Sequence, residues 1–239
     1  MSQMFSPVKF KNGQVMKNRF MLAPMTNTQS NEDGTLSDDE FNWLTMRASG
    51  GFGLTMTCAS HVQPNGKGFP GQLGIFNDEQ IAGHQRLAKA IQNEGSLAIV
   101  QLHHAGIRSP KNIIEGNPVG PSNHEKSGSR ALTLNEVYSL RDDFINAGVR
   151  ALKAGYNGVE IHGAHGYILC QFLSEQYNLR TDEYGGSLEN RSRLIFEIVD
   201  GIRNACGVDF LIGVRLSPER FGMKPVSYTH LRAHETTSH

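Results

Sequence analysis

Gly158-Val159-Glu160-Ile161-His162-Gly163-Ala164-His165-Gly166-Tyr167 is the stretch from which the fold is read. Val159 and Ile161 are β-branched and alternate with Glu160 and His162, the two-residue period of a strand whose successive side chains face opposite ways. Gly163 and Gly166 then break the strand. Two imidazoles and a phenol, His162, His165 and Tyr167, follow within six residues. That grouping on a glycine-bent turn after an apolar strand predicts a polar site at the strand's C-terminal end.

Outward from this stretch, the same unit repeats. Further strands are expected at Phe20–Ala23, Leu54–Cys58, Ser96–Leu102 and Phe210–Arg215. Helices are expected between them. One follows the Ser37…Glu40 capping-box pattern and stops at Gly50-Gly51. A second starts at Asn77 and buries Ile81, His84, Leu87, Ala88 and Ile91 on one face. A third starts at Thr133-Leu134-Asn135-Glu136 and buries Val137, Leu140, Phe144 and Ala151. Ser187 caps a fourth, carrying Leu194, Ile195, Ile198, Val199 and Ile202. Asn12-Gly13 marks a hairpin ahead of the first strand, and Ala105–Ala131 reads as a long irregular loop, either functional or disordered.

Strand–helix alternation means a parallel sheet covered by helices. A doubly wound dinucleotide sheet would place a Gly-x-Gly-x-x-Gly turn after its first strand. Here Pro24-Met25-Thr26 follows instead. The expected fold class is therefore α/β, a (β/α)8 TIM barrel, truncated after about five strands. Barrel sites form at the strands' C-terminal ends. Those ends carry Pro24-Met25-Thr26, Ala59-Ser60, Gln101-Leu102-His103, His162…Tyr167 and Arg215.

Composition excludes several classes. Among 239 residues, Lys+Arg and Asp+Glu are both 23, so no overall field recruits nucleic acid or an anionic membrane. There is no apolar run of the roughly 18 residues a span needs, and Met1–Phe10 has no signal-peptide core. Cys58, Cys170 and Cys206 are too far apart for a Cys-x-x-Cys metal site and predict reduced thiols in a cytoplasmic protein.

Four segments resemble the Old Yellow Enzyme family of flavin-dependent ene-reductases. They are Leu22–Thr26, Gln101–Gly106, Gly158–Tyr167 running into Gln171-Phe172-Leu173-Ser174, and Arg180–Arg191; Val214-Arg215-Leu216-Ser217 follows. The resemblance covers about residues 5–224 and implies an FMN-binding barrel. NADH or NADPH would reduce the flavin, which would pass hydride to an activated alkene, a small-molecule partner; the full-length protein would be a homo-oligomer. Pro24, Met25 and Ala59 resemble positions lining the flavin. Thr26 resembles the hydroxyl donor near its O4, and Gln101 suits the pyrimidine edge. Arg215 would offset charge on the reduced ring. His162 and His165 resemble the pair that holds the substrate's oxygen, and Tyr167 the general acid. Arg215 and Glu160 should both point into the barrel, and an ion pair between them is expected.

Alternatives remain at this point. His162 and His165 could ligate a metal beside Glu160, as in a barrel hydrolase, although the favoured reading has no metal site. The chain could be a catalytically inactive fragment. Larger relatives add an iron–sulfur cluster beyond the segment present here. Pro225–His239 has neither helical nor strand period and departs from the family, so a foreign or disordered tail is expected over 225–239, beside a partial barrel domain over 1–224. Lacking the later phosphate-holding loops, the chain alone is expected to bind FMN weakly or not at all and to be prone to aggregate.

Overall fold

A computed structural model describes residues 3–217. The Pro225–His239 segment and the end of the family resemblance lie outside the described residues. The hairpin at Asn12-Gly13 forms between β1 (Val8–Lys9) and β2 (Val15–Met16). Next come β3 (Met21–Leu22), α1 (Asp38–Ser49), β4 (Leu54–His61), α2 (Ile81–Asn93) and β5 (Leu97–His103). The long loop then holds β6 (Val119–Gly120) and β7 (Arg130–Ala131). It is followed by α3 (Leu134–Lys153), β8 (Gly158–Gly163), α4 (Ile168–Leu173), α5 (Leu188–Cys206) and β9 (Leu211–Leu216). Five strands form one all-parallel sheet in the order β3-β4-β5-β8-β9. Each new strand adds beside the last, as in a barrel wall, rather than reversing direction at a switch point.

One face of the sheet packs against the helices. Ala98, Val100, Leu102, Val159 and Ile161 meet Leu44, Leu87, Ile91, Leu140, Phe144, Ile198 and Ile202, all buried. The helical periods expected from sequence account for this. Ile81 and Val199 are only partly buried, at the margins of their faces. The other face is concave and layered by register. At the strands' N-terminal end, Met56 pairs with Ile99, Ile99 with Gly158 and Gly158 with Leu211. Met16, Val8 and Phe10 of the hairpin close this end. One step higher stand Ala59, Gln101, Glu160 and Gly213; above them stand His61 and His103, then His162 and Arg215.

Two local expectations differ from the structure. Ser37 does cap α1, accepting from the Glu40 amide at 3.1 Å. Glu40, however, does not reach back to close a capping box. It is fully buried, accepting from the Ser30 hydroxyl and from Cys58 Sγ at 2.7 Å. The third position of this helix faces the sheet, so the carboxylate finds its donors there instead. The second concerns the loop after β5, where the disordered alternative does not hold. It is tied down by the parallel β6–β7 pair and by buried Ile107 and Val119.

Candidate active site at the strand ends

The site is assembled by register before any side chain reaches out. Gln101 and Glu160 are cross-strand neighbours, and Gln101 Nε2 donates to Glu160 Oε1 at 2.6 Å. Burial pushes the Glu160 carboxyl upward; the Gln101 hydrogen bond and then the Arg215 charge pull the other way. Arg215 Nη1 lies 3.9 Å from Glu160 Oε1, so the expected ion pair forms at the outer limit of such contacts. Gln101 is the closer partner. Arg215 keeps a third of its side chain exposed.

Above that layer the turn after β8 brings three groups together. The Ala164 amide donates to His162 Nδ1 at 3.3 Å, which leaves the His162 proton on Nε2. His162 Nε2 lies 3.3 Å from His165 Nδ1, so His162 donates and His165 carries its own proton on Nε2. The Tyr167 ring centroid lies 5.0 Å from that of His162 and 6.5 Å from that of His165. Burial first, then the neighbouring His165 and Arg215, together lower the His162 pKa to about 3. His165 is lowered too, by burial and by Arg215 and Arg108. Both imidazoles are therefore neutral hydrogen-bonding groups near pH 7.

The turn is held in an uncommon shape. His165 has φ 56°, in the left-handed region that few non-glycine residues occupy. Gln171 on α4 fastens it: its Nε2 donates to the carbonyls of Gly166 (2.7 Å) and Ala105 (3.2 Å), and its Oε1 accepts from the Ile107 amide (3.2 Å). Helix α4 carries no sequence period because all six of its residues are buried. That is why pattern reading passed over it.

The remaining expected residues line the same end of the sheet. Pro24, Met25 and Thr26 follow β3, with Met25 and Thr26 exposed, and Ala59 is half-buried beside Gln101 on β4. The sequence marks His103 only as a strand-end polar residue, yet it touches the site directly. Its ring centroid lies 4.4 Å from that of Tyr167 and 5.5 Å from that of His162. Gln72 Nε2 lies 3.1 Å from His103 Nδ1 and also donates to the Ala59 carbonyl at 2.7 Å. Gln72 Oε1 takes the Gly68 amide at 2.6 Å. His103 Nε2 is buried with no hydrogen-bond partner among the described residues. Sequence distance hid Gln72, which lies on an irregular segment with no period.

This donor set suits a flat, electron-accepting ring. An amide on the inner face, a part-exposed guanidinium above it, uncovered Met25 and Thr26 at the rim and a buried imidazole nitrogen with no partner among the described residues are chemically compatible with a flavin's ring and polar edge. Among the described residues no group of three or more His, Cys, Asp or Glu side chains could hold a metal ion.

Comparison with known proteins agrees with this geometry. The sequence matches the NADH:flavin oxidoreductase / NADH oxidase family over residues 3–235. The chain belongs to that family. It is 44% identical over 224 residues to the "Probable NADH-dependent flavin oxidoreductase YqiG" of Bacillus subtilis, covering 90% of this chain and 60% of that one. It is 32% identical to the "Probable flavin mononucleotide-dependent alkene reductase" of Leishmania infantum, covering 86% of this chain and 61% of the relative. The crystal structure of Old Yellow Enzyme from Pichia sp. AKU4542 superposes with a TM-score of 0.89 at 29% identity, over 98% of this chain and 68% of that one. The sheet is thus part of the wall of an Old Yellow Enzyme-type TIM barrel, and the chain spans about 60% of the length of these two sequence relatives.

Proposed function

We propose that the full-length protein carrying this sequence is an FMN-dependent NAD(P)H oxidoreductase that reduces activated C=C bonds, such as those of α,β-unsaturated carbonyl or nitro compounds. The observation that supports this best is the meeting of Tyr167, His162 and His165 one register step above the Gln101–Glu160 layer. Bound FMN would supply hydride, taken from NADH or NADPH, to the substrate's β-carbon. Pro24, Met25, Thr26 and Ala59 would line the ring, with Gln101 at its pyrimidine edge and Arg215 offsetting negative charge.

The chain's own residues would do the rest. His165 offers its Nε2 proton toward the substrate's oxygen. His162 can join it only when its hydrogen bond to His165 gives way. Two neutral donors there stabilise the enolate-like charge that develops on the oxygen. The Tyr167 phenol supplies the proton to the α-carbon. The partner of the site is then a small uncharged or anionic alkene. The family match favours this reading over a metal-dependent hydrolase.

The test is NADPH-driven reduction of cyclohexenone by the full-length protein, with the two half-reactions followed separately. Tyr167→Phe should slow reoxidation by the alkene and spare reduction by NADPH. Equal slowing of both would remove Tyr167 from the proton-donor role, and no alkene-dependent turnover in the unsubstituted protein would remove the reading itself.

A further inference from the structure

We propose that Arg108 is a specificity-determining residue of this site, selecting alkenes that carry a carboxylate on the α-carbon side of the double bond. The inference rests on the alkene-reductase reading above and deepens it. Arg108 ends the short helical turn Gly106–Arg108 after β5 and is exposed. Its guanidinium carbon lies 5.0 Å from the centroid of the Tyr167 ring. Its Nη1 donates to the His165 carbonyl at 2.5 Å, which fixes the guanidinium at the mouth of the site.

Among the described residues no carboxylate pairs with it. Glu160, the carboxylate of the inner layer, is turned to Gln101 and Arg215 instead. The positive charge of Arg108 is felt at His165 and at His103. The mouth is therefore cationic on the side of the proton donor. Tyr167 addresses the α-carbon, so a substituent there passes under the guanidinium, while the activating oxygen faces His165. A guanidinium has five donors, and one bond to a carbonyl leaves enough for a carboxylate.

The discriminating pair of substrates is dimethyl itaconate and its half-ester with the unconjugated carboxyl free. They differ at the α-side substituent in one methyl group and one charge. In the full-length flavoprotein, Arg108→Gln should lower kcat/KM for the half-ester about tenfold or more relative to the diester, as expected for loss of a charge-assisted bond. Arg108→Lys should restore much of that preference, and added salt should weaken it. Calorimetric binding of the saturated half-ester, which needs no turnover, should weaken by a similar factor in Arg108→Gln. An equal loss for both esters would mean Arg108 only braces the His165 turn and would overturn the proposal. So would a raised KM for the nicotinamide with an unchanged ester ratio, which would assign the guanidinium to the reductant's phosphates. Reduction of cyclohexenone or the diester with no Arg108-dependent ester preference sinks this inference alone; reduction of neither ester nor cyclohexenone sinks the alkene-reductase reading with it.

Discussion

The two ends of the concave sheet face are made by the same strands and have opposite chemistry. At the N-terminal end Met56, Ile99 and Leu211 meet Met16 under the hairpin, an apolar plug. Two register steps up, the corresponding positions are His103, His162 and Arg215, with Gln101 and Glu160 between. Each strand thus spends its first inward residues on packing and its last on polar contacts. Rigidity at one end is what lets the other hold neutral histidines, a carboxylate and a guanidinium at fixed separations. Damage to the lower end should appear as lost stability, and damage to the upper end as lost chemistry.

The largest effect should come from Gly158→Ala, in the lower layer. A Cβ there would sit 2.2 Å from the Leu211 carbonyl oxygen, so β8 and β9 would have to part. Soluble, folded full-length protein should be lost, as read by yield and far-UV circular dichroism. A folded variant would mean the β8–β9 register is not as described. Next in size is Tyr167→Phe, in the upper layer. It should slow alkene-dependent reoxidation by about 10²–10⁴ with little change in the melting temperature; a large fall in melting temperature would blur the division between the two ends. Ile99→Ala should do the reverse, costing about 2–5 kcal/mol of stability while leaving the half-reaction ratio alone.

The smallest effect is a pH slope. Burial lowers the pKa of His61 and His84 to about 4 and of His104 and His162 to about 3. The unfolded chain binds these protons first. The stability the neutral histidines provide is therefore complete above about pH 6.5 and is lost as pH falls toward the folded values. The raised carboxyls of Glu40 and Glu160 act in the opposite sense and blunt the slope at its acid end. His104→Gln should flatten the slope by up to about 1.4 kcal/mol per pH unit. Urea midpoints at pH 7.5, 6.5 and 5.5 would check this, and identical slopes in the two proteins would contradict it.

Much of this architecture was legible in the sequence because regular periods reflect one-sided burial. Helix α3 declares itself through its Thr133–Glu136 capping box, which forms with both hydrogen bonds in place, and through Val137, Leu140 and Phe144. β8 declares itself through Val159 and Ile161. Most of the candidate site residues also lie at the C-terminal ends of the expected strands, since alternation fixes which side chains face inward. What stayed hidden depends on contacts with no sequence period. Helix α4 is buried on every side. Gln72 and Arg108 reach the site from irregular segments. Glu40 satisfied a local capping pattern, but burial beside Cys58 drew its side chain elsewhere. The pairing of His162 with His165 likewise needed the turn's geometry, because the left-handed φ of His165 swings its ring back toward the strand.

The most direct test of the claim that the polar strand ends form a flavin site is an FMN titration of the full-length apoprotein, followed by flavin fluorescence, with and without Gln101→Leu. The account predicts one FMN per chain for the unsubstituted protein and affinity weakened at least about tenfold, the loss of one or two hydrogen bonds, in a variant whose circular dichroism is unchanged. Equal FMN affinity in the two proteins would contradict it.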